Sequence, residues 1–317
     1  MKEIVLLMPY YGRWPEWFNL FIETCKWNPT IDWIFFTDLE QPRNRCDNVH
    51  YVRMTLPELL ELASSRVGFT IDFTDPYKLC DLRPAFGVIF DTYIREADYF
   101  GWGDIDVMYG DIRNFVTDEV LRYDVISFHA HRLSNHFCLF RNVASVKKKY
   151  QINNVWKEKV NLLGAQCLDD LLTWAFDLKS NYFFESHNTP NVTDWPPWKD
   201  GTFNFPREWR WNEGRLMTDQ TGREQFLYFH FMVWRGGMWG KIHGGGQWEK
   251  MSKLVHFDDR DLSHGWKINE KGFWRLHGND SGSHPVQIDP ALIASQSNIV
   301  ESREDEACSG SRHFGRN

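Results

Sequence analysis

The chain has 317 residues, 42% hydrophobic and 25% charged, with a formal net charge of −7. A chain of this length and composition buries a full core, as one large α/β domain or two smaller ones, which excludes a disordered polymer. The acidic balance excludes broad nucleic-acid binding, which needs a basic face to displace counterions.

Glu3 to Met8 is an apolar run ended by Pro9, the pattern of a strand buried on both faces of a parallel sheet. The run is far too short for a signal peptide or membrane span and no basic segment precedes it, so the expectation is a soluble cytoplasmic protein. Pro15 opens a helix whose Phe18, Phe21, Ile22 and Cys25 fall at helical spacing. Trp33 to Thr37 reads as a second buried strand ending at Asp38, and Val49 to Arg53 as a short third. Thr55 and Pro57 start a helix over Glu58 to Ser65. Pro84 starts another, Ala85 to Glu96, feeding a strand that ends before Asp104. Strand and helix in alternation predict an α/β sandwich with a mainly parallel sheet.

Beyond Asp111 the pattern loosens. Asp124 to Phe128 and His136 to Phe140 read as two strands, antiparallel around the loop His129 to Asn135. Leu168, Leu171, Leu172, Ala175 and Phe176 mark a short amphipathic helix preceded by Gly164. Asn188 to Gly222, rich in Pro, Asn, Asp and Trp, reads as a long functional loop. Gln225 to Val233 reads as a last strand, followed by the glycine-rich stretch Arg235 to Gly246. The tail beyond Ser281 is polar and expected to be partly disordered. Six scattered cysteines without a Cys-x-x-Cys pair read as free thiols of a reducing compartment. Lys147-Lys148-Lys149 reads as a solvated helix face, with contact to an anionic membrane surface as the lesser alternative. The 16 tryptophans thicken toward the C-terminal half, where they serve either as core or as flat faces for sugar rings.

The chemistry centres on Gly103-Asp104-Ile105-Asp106. Alternate side chains of an extended segment share a face, so Asp104 and Asp106 can converge on one cation. Hard divalent ions recruit one or two carboxylates together with substrate phosphates. The neighbouring glycines would let backbone approach a bulky ligand. In an open α/β sheet, ligands bind beyond the carboxyl ends of the strands. Pro9-Tyr10-Tyr11-Gly12, Thr37-Asp38 and the Asp-x-Asp segment all fall there.

This arrangement resembles the GT-A fold of nucleotide-sugar glycosyltransferases, at the level of pattern over Lys2 to Val233. The resemblance implies a Rossmann-like sheet flanked by helices, with a nucleotide-sugar-binding half over residues 1–112 and an acceptor half over 113–280, ahead of the 281–317 tail. It implies that Pro9, Tyr10, Tyr11, Thr37 and Asp38 hold the nucleoside, and that Asp104 and Asp106 bind manganese or magnesium (Mn²⁺ or Mg²⁺) bridging a diphosphate. Lys78, Asp81 and Arg83 would touch ribose, sugar hydroxyl or phosphate; for Asp81 the alternative is an ordinary helix cap. His230 would complete the metal site, its alternative being a core histidine. Arg235 and Lys241 resemble, at longer spacing, the cationic segment of glycogenin-like enzymes. Asp169-Asp170 resembles the acidic pair of inverting enzymes, with Asp170 ahead of Asp169 as general base; acidic residues also favour helix first turns through the macrodipole alone. The histidines His129 and His131 would lie on the acceptor side.

The implied activity moves a hexose-type sugar from a nucleoside diphosphate donor, foremost uridine diphosphate, to a saccharide or glycolipid acceptor of bacterial surface-polysaccharide type, with peripheral contact at the inner membrane face. The alternatives are a nucleotidyltransferase of sugar phosphates and a non-catalytic carbohydrate-binding protein using the Trp-rich half.

Overall fold

The N-terminal apolar run forms the strand around which the others are ordered. The computed structural model describes residues 1–15, 17–127, 133–152, 154–175, 183–185, 208–218, 225–230, 262, 264–269 and 272–276. Strands β1 (Ile4–Pro9), β2 (Ile31–Thr37), β3 (Val49–Arg53) and β4 (Tyr99–Gly103) are parallel, with β1 between β2 and β4. A short β5 (Val107–Tyr109) leaves this sheet; β6 (Val125–Ser127), β7 (Phe137–Arg141) and β8 (Phe183–Glu185) complete it in the order β3-β2-β1-β4-β7-β6-β8. Only β7 runs against its neighbours. The result is the α/β architecture with a mainly parallel sheet that the strand and helix spacing predicts.

Helices cover both faces. On one, α1 (Phe18–Lys26) packs Phe18, Phe21, Ile22 and Cys25 against Ile4, Leu6 and Met8. On the other, α2 (Leu56–Val67) and α3 (Phe86–Ile89) pack Leu59, Leu60, Ala63, Phe86 and Ile89 against Val5 and Leu7. A strand apolar at every position is therefore satisfied from both sides. Thr55 and Glu58 cap α2 reciprocally, and Gly68 ends it at φ +81°. Beyond β7 the chain adds α4 (Ala144–Lys147), α5 (Val155–Lys159) and α6 (Leu171–Ala175). No helix among the described residues is long and apolar enough to cross a membrane.

Several expectations are corrected. The helix over Ala85 to Glu96 is a 3₁₀ stretch, Pro76–Ala85, with Pro84 inside it, followed by the four-residue α3. Phe86, Ile89, Phe90 and Ile94 keep helical spacing because all four are buried, yet the chain turns after α3. The segment read as loop up to Gly222 contains a hairpin, β9 (Trp209–Asn212) and β10 (Arg215–Thr218), closed by Glu213-Gly214. Both turn residues have positive φ, 47° and 74°, as a type I′ turn requires. The hairpin belongs to a second sheet. Among the described residues β11 (Tyr228–His230) pairs only with β5, and the second sheet is completed by β12 (Trp266–Asn269) and β13 (Gly272–Arg275), in the order β10-β9-β12-β13. Trp209, Trp211 and Trp266 are fully buried, and the last two stack at 4.0 Å, so these three are core and not sugar platforms.

A further correction concerns the glycines before the Asp-x-Asp segment. A Cβ on Gly101 would overlap the Cys138 carbonyl oxygen of β7, and one on Gly103 would lie 2.6 Å from the Tyr109 hydroxyl. These glycines serve strand packing and leave no room for a ligand. Gly101→Ala should therefore destabilise the fold by about 1–3 kcal/mol or more, because backbone cannot yield as a flexible side chain does. Urea denaturation checks this; a loss below about 0.5 kcal/mol would mean β4 and β7 separate freely.

Candidate functional site

From β1 the chain crosses through α1 to β2 on one side, and later returns to β4 on the other, so strand order reverses between β1 and β4. Such a switch point opens a crevice at the carboxyl ends of the strands. Asp104 is the first residue beyond β4. Asp106 immediately precedes β5, and the residues between form a bend, so the two carboxylates do not share an extended strand. They converge for another reason. β5 pairs antiparallel with β11 so that Val107 lies opposite His230, setting the imidazole beside Asp106. His230 Nε2 lies 3.5 Å from Asp106 Oδ1 and 4.0 Å from Asp104 Oδ2. One ligand atom from each of the three lies within 4.8 Å of the others. Asp106 and His230 are buried, while Asp104 keeps a partly open side chain. The bend is held by Trp17, whose indole Nε1 donates to the Ile105 carbonyl at 2.9 Å, and by the Asp104 amide, which donates to the His136 carbonyl at 3.1 Å.

Arg83 lies on the flank of this group. Its guanidinium pairs with Asp104 Oδ1, leaving Oδ2 toward His230, and through Nη1 with Asp169 at 2.9 Å. Nη1 also donates to the Asn135 carbonyl at 2.6 Å. Burial alone would lower the guanidinium pKa, but the Asp104 and Asp169 carboxylates outweigh it and hold Arg83 well above its ordinary value. Asp169 is buried in the 3₁₀ turn Leu168–Asp170 that leads into α6. Asp170 ends that turn, and its side chain lies outside the described residues. Nearby, burial first and then the Asp169 and Asp81 carboxylates push the Cys80 thiol well up, which disfavours a thiolate nucleophile.

Lys78 and Asp81, expected at the donor, face each other in the interior. Their 2.8 Å ion pair has both side chains almost wholly buried. Lys78 also donates to the Gly164 carbonyl, and Asp81 accepts from the Gln166 and Leu168 amides. The pair thus fastens the 3₁₀ stretch Pro76–Ala85 to the segment that carries Asp169. Asp81 is not the helix cap either; Asp75 accepts from the Tyr77 amide in that role.

The residues expected at the nucleoside gather as their strands do. The Tyr10 amide donates to Phe36, so Pro9-Tyr10-Tyr11 adjoins Thr37-Asp38. Tyr10 is half-buried and stacks on Trp14 at 5.3 Å; Asp38 is exposed. Thr37 is buried and its hydroxyl accepts from the Leu39 amide, turning the chain. Tyr11 is buried, with its phenol pKa pushed up by burial and then by Asp38 and Glu58. Lys241, Arg235, His129 and His131 lie outside the described residues. The sequence reading missed His136 and Tyr228 as site neighbours. His136 precedes a strand and Tyr228 sits in an aromatic run, and only the pairing of distant strands brings them together.

Residues 6–277 match the model of a family described as a family of unknown function, DUF6625. The chain belongs to that family. No curated protein matches it. Among solved structures it is similar to the glycosyltransferase GlyE of Streptococcus pneumoniae, at 9% identity and TM-score 0.36, over 60% of this chain and 46% of that one. In that match this member of the DUF6625 family covers less than half of the GlyE chain, and in a match to the apo form, at 9% identity and TM-score 0.41, it covers 67% of it. It is also similar to mouse xyloside xylosyltransferase 1, at 9% identity and TM-score 0.39, over 72% of this chain and 97% of that one. A third similarity is to a glycosyltransferase involved in glycosylation of the major capsid of PBCV-1, at 12% identity and TM-score 0.31, over 58% and 81% of the two chains.

The buried Lys78–Asp81 pair gives a prediction that separates packing from ligand contact. Asp81→Ala leaves an ammonium buried without its carboxylate and two amides without acceptors. It should cost about 3–5 kcal/mol of stability, seen by urea denaturation with no ligand present. Unchanged stability with weakened nucleotide binding would instead return Asp81 to the donor site.

Proposed function

We propose that this chain is a metal-dependent glycosyltransferase that moves a hexose-type sugar from a nucleoside diphosphate donor, foremost uridine diphosphate, to a saccharide or lipid-linked saccharide. The observation that carries this reading is the Asp104, Asp106 and His230 group at the switch-point edge of the sheet. Ligand atoms around one first-row ion at about 2.0–2.2 Å lie about 3–4.4 Å apart, a range that includes the 3.5 and 4.0 Å from His230 to Asp106 and Asp104. Two carboxylates with one imidazole suit Mn²⁺, and Mg²⁺ less well because it prefers oxygen. Bound there, the cation would supply neutralising charge for the diphosphate as the glycosidic bond breaks.

This chain's own residues do the rest. Asp104, Asp106 and His230 orient the diphosphate end, and the edge formed by Pro9, Tyr10, Thr37 and Asp38 receives the nucleoside. Arg83 places a fixed positive charge between Asp104 and the acidic turn, where it can meet a sugar hydroxyl or phosphate oxygen. Lys241 is a further candidate for the diphosphate. Asp170 is the proposed general base, taking the proton from the attacking acceptor hydroxyl, and Asp169 is the alternative. The ion pair with Arg83 favours an anchoring role for Asp169, since a carboxylate held by a guanidinium is a weaker base. The buried Trp209, Trp211 and Trp266 weigh against a non-catalytic carbohydrate-binding protein. For a lipid-linked acceptor, exposed Ile152, Leu162 and Leu163 in one segment with exposed Lys148 and Lys157 favour peripheral contact with an anionic membrane face.

A thermal-shift panel of nucleoside diphosphates with and without Mn²⁺ tests the reading. Uridine diphosphate with Mn²⁺ should raise the unfolding temperature, a stabilisation of about 2.7 kcal/mol at a hundredfold excess over Kd. Asp104→Ala and Asp106→Ala should abolish the metal-dependent part. Asp170→Asn should lower transfer about 10²–10⁴-fold with nucleotide binding retained. Nucleotide binding indifferent to metal, in the wild type and both alanine variants, would overturn the assignment.

A further inference from the structure

The side chain of His136 has no role assigned so far, yet His136 touches both halves of the candidate cation site. It immediately precedes β7 and is buried. Its backbone carbonyl accepts from the Asp104 amide at 3.1 Å, fixing the start of the bend that carries both aspartates. Its ring stacks on His230 with centroids 4.2 Å apart and planes 24° from parallel. Its Nε2 lies 2.9 Å from the Tyr228 hydroxyl, and the two share a hydrogen bond. Tyr228 precedes His230 by two residues in β11, so the two side chains leave the strand on the same face. Three strands that are remote in sequence therefore meet at one imidazole.

We propose that His136 is a positioning residue for the cation site, which orients the His230 ring through its stack and its bond to Tyr228 while its carbonyl holds Asp104. The inference rests on the cation site proposed above. A ligating imidazole must present its nitrogen along one direction, and rotation about its side-chain bonds would swing that nitrogen away from Asp106. A flat ring packed face to face removes such rotation. The hydrogen bond to Tyr228 keeps the packing ring itself from turning. Outer groups that orient metal ligands commonly alter metal affinity about 10–100-fold when removed.

The stack and the hydrogen bond can be separated by substitution. His136→Phe keeps a flat ring and removes the bond, Tyr228→Phe removes the same bond from its other end, and His136→Leu removes bond and stack. All three keep the backbone carbonyl at position 136. Mn²⁺ affinity is read directly from the free-ion electron paramagnetic resonance signal during titration of full-length protein, and the unfolding temperature is recorded without metal. His136→Phe and Tyr228→Phe should each weaken Mn²⁺ binding about 10-fold, and their double variant should be no weaker than either alone, because one bond is lost in all three. His136→Leu should be weaker still. A role confined to packing predicts the contrary result, in which metal-free unfolding temperatures fall while the Mn²⁺ affinities of the variants that remain folded match the wild type within twofold. That result, or additive losses in the double variant, would overturn the proposal and leave the cation site standing. A wild-type chain that binds no Mn²⁺ would overturn the cation site, and the positioning role with it.

Discussion

The three-residue pairing of β5 with β11 is the constraint on which the candidate site depends. A bend containing two aspartates has no preferred target by itself, because carboxylates repel and water solvates them separately. Pairing Val107 with His230 fixes where the imidazole stands relative to Asp106. The same pairing is locked by burial: Val107, Met108, Tyr109, Tyr228 and Phe229 are all inaccessible, and Trp211 and Trp266 close over them through the Tyr109 carbonyl and the Met108 sulfur. The second sheet thus works as a lid on the core that keeps β5 and β11 in register. A one-residue slip would turn His230 to the other face of its strand.

Electrostatics then bears on the proposed cation. Asp104, Asp106 and Asp169 bring three carboxylates to one edge, two of them buried. Arg83 offsets part of that charge by bonding one oxygen of Asp104 and one of Asp169. It reaches the outer side of Asp104, whereas the inner oxygen faces His230 and Asp106. The positive charge already present is therefore on the flank, and the space between the two aspartates and the imidazole is where further positive charge is most favourable. Buried like charges raise one another's energy sharply unless such a counter-charge is supplied. An ion that also draws in an anionic diphosphate would satisfy both requirements.

Much of the fold was legible because its signals are local. The apolar runs of β1 and β2, the Thr55 and Glu58 capping box and the Phe18, Phe21, Ile22, Cys25 spacing each state their own structure. Pro84 misled because proline at a helix start and proline inside a 3₁₀ stretch look alike in sequence. Glu213-Gly214 lies in a stretch whose Pro, Asn and Asp content reads as loop, although a glycine-containing two-residue turn between apolar strands carries a hairpin signal. The glycines at 101 and 103 were read as room for a ligand, when their partners, the Cys138 carbonyl and Tyr109 hydroxyl, belong to strands the sequence does not order. Lys78 and Asp81 have donor-site chemistry in sequence and interior geometry in space. At the site, Asp104 and Asp106 announced themselves by spacing and His230 by analogy, but His136 had no signal at all. Its contacts are long-range and depend on register.

The distribution of these contacts separates what is fixed from what must adapt. Asp104, Asp106, His230, His136 and Tyr228 stand at the ends of paired strands or within them, and Asp104, His230, His136 and Tyr228 are each held by at least one neighbour that is itself buried. A cation needs that rigidity, because ligand directions tolerate little error. The turn bearing Asp169 is held differently, by Arg83 from one side and by the Lys78–Asp81 pair from below. Loss of the Arg83 contact to Asp104 would leave Asp169 paired and the turn still fastened at Gln166 and Leu168. Arg83 thus joins the Asp104, Asp106 and His230 group to the acidic turn, and a charge arriving at either end is felt at the other through its guanidinium.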